Sequence, residues 1–380
     1  MAKKAAKPAP KIAIIADWLT TMGGAEPVVL ELHKLFPDAP IYTSVYDKDK
    51  MPAFADCDIR TTNLQKILPK FIRYKHVLWP VLRAFAFRSL DLSDYDIIIS
   101  SASAEAKAVR KRPDAIHICY CHTPIRYYWS HYDEFKKEFN FGPLTPLIRP
   151  LIPLFIGWMR KKDLASVKGV DHFIANSHET QARIKHYYKR ESMVIFPPVD
   201  TTRFAKKPQD ADTRKGFLMW SRHVPYKRFD LAIEACNTLG APLTIAGTGP
   251  DTERLKKLAG PTITFVGRVS DEEIVRLAWS HQAFLFPGKE DFGIAPVEAL
   301  AAGLPVIAYG EGGALDYVKD GETGVLFHKQ SAAALIEAIE KFSESTFDRS
   351  VIQKQAEQFR VENFDQDIVS FVKEVQNTAR

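Results

Sequence analysis

Short, continuously apolar runs recur along this chain of 380 residues, each stopped by a glycine, a proline or a polar residue. Runs of this length without period-two alternation mark strands covered on both faces, as in parallel sheets. The first series falls at residues 11–17, 41–45, 96–101, 116–120, 172–176 and 193–196, with helical stretches between several of them. Pro197-Pro198 ends it, and a polar, turn-rich segment runs to residue 212. A second series follows at residues 216–221, 243–246, 262–266, 283–286, 305–309 and 325–327, with helices predicted over 229–239 and 271–279 among others. Strand–helix alternation of this kind predicts an α/β fold with two doubly wound, Rossmann-like domains. At this length two cores are also the expectation. The boundary is placed near residue 200: residues 1–199 form one domain and residues 200–362 the other. Residues 332–377 read as helical, interrupted at Glu362-Asn363-Phe364-Asp365.

The charge distribution says more than the net charge of +6. Residues 64–90 carry Lys66, Lys70, Arg73, Lys75, Arg83 and Arg88 with no acid, interleaved with Ile67, Phe71, Trp79, Leu82, Phe85 and Phe87. Residues 141–162 repeat the theme, with Arg149, Arg160, Lys161 and Lys162 among Leu144, Leu147, Ile148, Leu154, Phe155 and Trp158. Cations interleaved with aliphatic and aromatic side chains suit a surface that rests on anionic lipid, or helices that cover a core with basic outer faces. No nucleic-acid-binding motif accompanies the charge, so nucleic acid is not expected as a partner. No run reaches the length of a membrane span. The lysine-bearing start, residues 1–10, lacks the apolar core of a signal peptide and reads as a disordered tail. Four cysteines without framework spacing predict reduced thiols and a cytoplasmic setting.

One stretch brings chemistry to the second domain: residues 287–313, P-G-K-E-D-F-G-I-A-P-V-E-A-L-A-A-G-L-P-V-I-A-Y-G-E-G-G. A strand ends at Pro287-Gly288, which leaves Glu290 in a loop. Pro296 and Gly303 bracket a short helix, residues 294–302, that carries Glu298. The next strand runs into Gly310-Glu311-Gly312-Gly313. Two strand ends thus deliver two carboxylates and a glycine-rich backbone to one rim, where open α/β sheets bind ligands. In the first domain Gly23-Gly24 joins the first strand to its helix, where bare backbone amides can approach an anion or a sugar.

Glu290 and Glu298 stand eight residues apart, with D-F-G after the first and A-A-G-L-P-V-I after the second. This pattern resembles the retaining family 4 glycosyltransferases, whose two-domain GT-B fold sets two Rossmann-like domains across a central cleft. The resemblance implies that Glu298 holds the ribose hydroxyls of a nucleotide sugar and that Glu290 lies beside the donor sugar. It also implies that Phe292, Gly293, Gly312 and Gly313 border the donor, with Gly23 and Gly24 near its diphosphate. Backbone near Val269 would border the base. The C-terminal helix, residues 363–380, would pack back on the first domain.

Arg222 and Lys227 follow the first strand of the second domain. Negative charge develops on a diphosphate as its glycosidic bond breaks, and a guanidinium, an ammonium and helix amides would stabilise it without a metal. Their Arg-x4-Lys spacing is similar to the family's diphosphate clamp. His122, in C-Y-C-H-T-P-I-R-Y-Y-W, ends a strand of the first domain, and the resemblance sets it beside the donor sugar. Arg126, Tyr127, Tyr128 and Trp129 follow it, as candidates to meet an acceptor or, for the aromatic three, to fill core. Ser103 and Lys107 at another strand end are expected to face the acceptor.

The Asp-x-Asp matches at Asp47-Lys48-Asp49, Asp56-Cys57-Asp58 and Asp210-Ala211-Asp212 follow no strong apolar strand, and Cys119, Cys121 and His122 lack a fourth zinc ligand. No metal or cofactor is therefore expected. The nicotinamide fingerprint and the Walker loop are missing. The expected activity is metal-independent transfer of a hexose with retention, mannose from GDP-mannose leading other GDP- or UDP-hexoses. The acceptor would be a lipid-linked or other glycan, on the cytoplasmic face of a membrane touched through residues 64–90 and 141–162. A sugar-nucleotide epimerase, a phosphorylase and a basic non-catalytic adaptor are the alternatives. One departure from the family pattern stands out: Ala314-Leu315-Asp316 follows Gly313 where a glutamate is common.

Overall fold

A computed structural model describes residues 10–74, 79–130, 132, 136, 145, 149–209 and 214–378. The tail over residues 1–9, Lys75, Leu144, Leu147 and Ile148 of the basic segments, and the Asp210-Ala211-Asp212 match lie outside the described residues.

The chain divides into two compact units: residues 1–176, 180–196 and 365–380 form the first, and residues 177–179 and 197–364 the second. The first holds a parallel sheet of seven strands: β1 (Ile12–Ala16), β2 (Ile41–Thr43), β3 (Ile59–Thr61), β4 (Ile97–Ala102), β5 (Ile116–Cys121), β6 (His172–Ala175) and β7 (Ser192–Val194). The spatial order is 3-2-1-4-5-6-7. The second holds six parallel strands: β8 (Phe217–Trp220), β9 (Leu243–Ala246), β10 (Ile263–Gly267), β11 (Ala283–Phe286), β12 (Val306–Tyr309) and β13 (Gly324–Phe327). Its order, 10-9-8-11-12-13, is the same winding. Both sheets reverse direction beside their first strand, and the crevice at the carboxyl ends there is where such sheets take ligands.

The apolar runs became strands because both faces are covered: every residue of β4, β8 and β11 is buried. In the second unit the helix Phe229–Leu239 and the helix Ala332–Ser343 cover one face, packing Ile233, Cys236, Leu335 and Ile339 against Leu243, Ile245 and Ile307. In the first, Phe87, Val167, Ile184 and Tyr188 pack against Ala13, Ile15, Ile98 and Phe173.

Two expectations need correction. β3 was not foreseen: Ile59-Arg60-Thr61 is a three-residue edge strand, partly exposed and embedded in polar sequence, so no apolar run announces it. The interruption expected at residues 362–365 lies inside the last helix, Val361–Thr378, because Phe364 points into the core and carries the apolar stripe through it. The breaks fall earlier, after Ser343, where Asp348 caps the next helix, and at the extended Arg360.

Candidate active site

In the second unit, β8 and β11 flank the reversal of the sheet, and the loops that leave their carboxyl ends meet. The β8 loop carries Arg222 and, in a turn at Pro225–Lys227, Lys227. The β11 loop carries Glu290. The Lys227 Nζ donates to Glu290 Oε1 at 2.5 Å, with both side chains 14% exposed. Behind the pair, Arg228 takes the left-handed region at φ 55° and binds Asp230 through both carboxylate oxygens. It also reaches Gln330 Oε1 at 3.2 Å, whose amide donates to the Pro287 carbonyl at 2.9 Å. The two loops are thus tied to each other behind the ion pair. Arg222 is exposed, and no side-chain partner for it occurs among the described residues.

The β12 loop closes on the same place. The Gly313 amide donates to the Glu290 carbonyl at 2.9 Å. A Cβ on Gly313 would stand 2.4 Å from the Phe292 backbone, and one on Gly312, at φ 71°, would stand 2.4 Å from the Glu290 carbonyl. Only glycine lets these backbones approach so closely. Gly293, at φ 93°, turns the β11 loop into the helix Ile294–Ala301. The Phe292 ring is core, packed against Tyr317 and Phe359, so Phe292 borders the rim with backbone only.

Glu298 lies on that helix with its side chain 15% exposed. Its carboxylate accepts from Arg203 Nη2 at 2.9 Å and from Trp220 Nε1 at 3.2 Å. Burial raises its pKa above the ordinary glutamate value, and the Arg203 charge opposes that rise. Arg203 also reaches Asp271 at 2.8 Å. Glu298 and the Lys227–Glu290 pair share the carboxyl end of the sheet, Glu290 from the β11 loop and Glu298 from the helix that follows it, each with its own partners. Val269 is half-buried after edge strand β10, beside Ser270, which caps the helix Asp271–Ser280. Asp316 is held by His178 at 2.7 Å.

In the first unit the reversal lies between β1 and β4. Asp17, one residue beyond β1, accepts from the amides of Ser103, Ala104 and Ala106 at 2.7–2.8 Å. This carboxylate pins the turn after β4, and Ser103 sits half-buried within it, its hydroxyl also turned to Asp17. Gly23 and Gly24 are exposed, and the Gly23 amide donates to Glu26 Oε2 at 2.8 Å. Burial, with the nearby Asp17 charge adding to it, pushes the Glu26 carboxyl up to about 7. His122 stands one residue beyond β5, 9% exposed, its Nε2 hydrogen-bonded to Ser101 Oγ at 2.8 Å.

Lys107 departs from the expectation of a residue that faces an acceptor, and Tyr128 and Trp129 take the core-filling side of their two readings. Lys107 does not face solvent: it is 2% exposed, donates to Asp163 at 2.8 Å and to the Ala104 carbonyl at 2.9 Å, and is a core cation. Tyr128 is buried, with its hydroxyl on Glu105 at 3.3 Å. Trp129 donates to Asp163 at 2.8 Å and packs against Tyr187 and Tyr188. Tyr127 is partly buried against the same cluster, and Arg126 is half-buried. Asp163, on the helix Ile152–Val167, is the common partner of Lys107 and Trp129, while Glu105 holds Tyr128. Asp17, Glu105, Asp163, Arg203 and Trp220 escaped sequence reasoning. Only Asp17, an acid at the end of an apolar run, leaves a signal there.

Each unit is therefore a doubly wound, Rossmann-like α/β domain, and the second has cations and carboxylates gathered at the reversal of its sheet. The family models agree. Residues 22–203 match the model described as Glycosyltransferase Family 4, and residues 200–359 match Glycosyl transferases group 1. The chain belongs to the family 4 glycosyltransferases, and its fold is GT-B. It is 33% identical over 176 residues to the GDP-mannose-dependent alpha-(1-6)-phosphatidylinositol monomannoside mannosyltransferase of Mycobacterium tuberculosis, covering 39% of this chain and 46% of that protein. With the human alpha-1,3/1,6-mannosyltransferase ALG2 it shares 27% identity over 288 residues, 66% of this chain and 65% of that one. These matches span about half to two thirds of the relatives' lengths. Among solved structures, HepE of Anabaena in complex with UDP and glucose superposes with a TM-score of 0.69 at 18% identity, over 96% of this chain and all of that one.

Proposed function

We propose that this protein transfers a hexose, with retention, from a nucleotide sugar to a glycan or lipid-linked acceptor, and that GDP-mannose is the donor. The observation that carries the reading is the Lys227–Glu290 pair at the reversal of the second sheet, with the exposed Arg222 beginning the same loop. The names of the mycobacterial and human relatives support mannose and, for the former, GDP.

The second unit holds the donor. Glu298 accepts the ribose hydroxyls, and Val269 borders the base. Arg222 and Lys227 bind the diphosphate, aided by the amides of Gly312 and Gly313. Glu290 holds Lys227 in place and meets the sugar. As the bond from the anomeric carbon to the β-phosphate oxygen breaks, the acceptor oxygen bonds to that carbon on the same face. The acceptor proton passes to the β-phosphate, whose growing charge the two cations stabilise, with no metal required. In the first unit His122, hydrogen-bonded to Ser101, is the candidate for the donor sugar, Gly23 and Gly24 are those for its diphosphate, and Ser103 and Arg126 remain the acceptor candidates.

The protein works at a membrane surface on its cytoplasmic face. Ile67, Phe71, Phe85 and Leu154 are each more than 60% exposed beside the basic residues of the two segments. No helix among the described residues is long and apolar enough to cross a membrane.

A thermal-shift screen against GDP-, UDP- and ADP-sugars, repeated with EDTA, tests donor and metal together. Stabilisation by GDP-mannose that survives chelation is expected. Arg222→Ala should cost on the order of 3 kcal/mol of transition-state stabilisation, about a hundredfold in rate. A near-wild-type rate would remove the clamp from the mechanism.

A further inference from the structure

Away from the strand-end loops of the second unit, the first unit contains a crevice that opens to solvent. Its walls are two helices, Pro80–Arg88 and Ile152–Val167, and its floor is the pair of segments that follow β4 and β5. We propose that this crevice takes one acyl chain of an anionic membrane lipid. The proposal rests on the reading that this face meets a membrane, and it goes further by assigning a site rather than a surface.

Three observations carry it. The interior offers a guest little charge: the two floor carboxylates, Glu105 and Asp163, are held by the buried cations Arg83 and Lys107 at 2.7 and 2.8 Å. What remains is apolar, with Ala84, Ile125 and Met159 among the lining groups. The mouth is amphipathic. Phe85 and Trp158 line it while 63% and 41% exposed, and Arg88 and Lys162 stand with them, the Lys162 ammonium 5.5 Å from the Trp158 ring centroid.

The third observation is the sign of the charge around the mouth. The helix Pro80–Arg88 carries no acid, and the only acid of Ile152–Val167 is the buried Asp163. Both outer faces are therefore cationic and apolar, a match to a phosphate headgroup above a hydrocarbon chain. A protein partner would need an acidic, apolar patch of its own. The surface chemistry asks for both features in every copy of the ligand, which an anionic lipid supplies.

Floor residues Ile125 and Tyr128 lie three and six positions after His122 on one continuous segment. A chain held in the crevice would thereby be anchored to the segment that carries the strand-end histidine.

The test uses Trp158 as reporter. Full-length protein is mixed with phosphatidylglycerol vesicles whose acyl chains carry bromine at mid-chain, and the Trp158→Phe protein isolates the reporter's emission. Expected is strong quenching of Trp158, which Ala84→Phe abolishes by filling the crevice while the protein still sediments with the vesicles. Ser166→Leu fills it from the opposite wall should A84F fail to fold. Quenching that both variants retain would mean that Trp158 merely dips into the bilayer, and would overturn the site. So would the lack of quenching, or equal quenching in phosphatidylcholine vesicles. Donor binding, read by thermal shift with GDP-mannose, should be unchanged in A84F, so failure here and failure of the sugar-transfer reading are separately visible.

Discussion

Replacing Lys107 by methionine distinguishes a core cation from an acceptor-binding one. Lys107 and Asp163 are each about 2% exposed and 2.8 Å apart. Burial disfavours the ammonium, yet the charge of Asp163 and its hydrogen bond outweigh burial, so the lysine pKa stands above its ordinary value. Methionine keeps the length and removes the charge, which leaves Asp163 with two neutral donors, Trp129 Nε1 at 2.8 Å and Tyr188 hydroxyl at 2.9 Å. Removing one partner of a buried pair typically costs about 3–5 kcal/mol. Against a total of about 5–15 kcal/mol for a domain, that makes the first unit marginal. Urea unfolding followed by tryptophan emission should show an early transition in K107M, with Asp163→Asn in addition recovering part of the loss. A raised lysine pKa gives stability that is complete below the unfolded value, about 10.4, and fades only as pH rises through the higher folded value. The deficit should therefore be equal at pH 6 and pH 8. If K107M unfolds like the wild type yet loses transfer, the lysine acts on the acceptor and the core assignment is wrong.

Two further predictions follow the carboxylates. Arg203→Met removes the charge that opposes burial of Glu298, so the pKa of Glu298 should climb further above the usual range. GDP binding by calorimetry should weaken about tenfold or more and fall away at a higher pH than in the wild type; parallel pH profiles would contradict this. Glu26 is protonated more readily in the folded chain, about 7 against an unfolded value near 4.5. The folded state then binds the extra proton between those values, so stability declines as pH rises from about 4.5 to about 7, by on the order of 3 kcal/mol. Glu26→Gln should flatten that decline in melting curves from pH 5 to 8, and an unchanged slope would count against it.

Much of the architecture was legible in the letters. Strands buried on both faces must be short and apolar throughout, so β8, β9, β11 and β12 could be read within two residues, and the glycines and prolines that end them mark the loops that bear Arg222, Lys227 and Glu290. Hydrophobic period and turn chemistry are local properties, set by neighbours in sequence. The partners of charged side chains are not. Lys107 and Asp163 are 56 positions apart, and Arg203 and Glu298 are 95 apart. Nothing near Lys107 in sequence distinguishes a lysine that faces solvent from one sealed under the helix Ile152–Val167. Tertiary packing decided that, because the free energy of a charge depends on what surrounds it in space. It likewise turned Tyr128 and Trp129 inward and left between two basic helices the crevice that no run of residues announces.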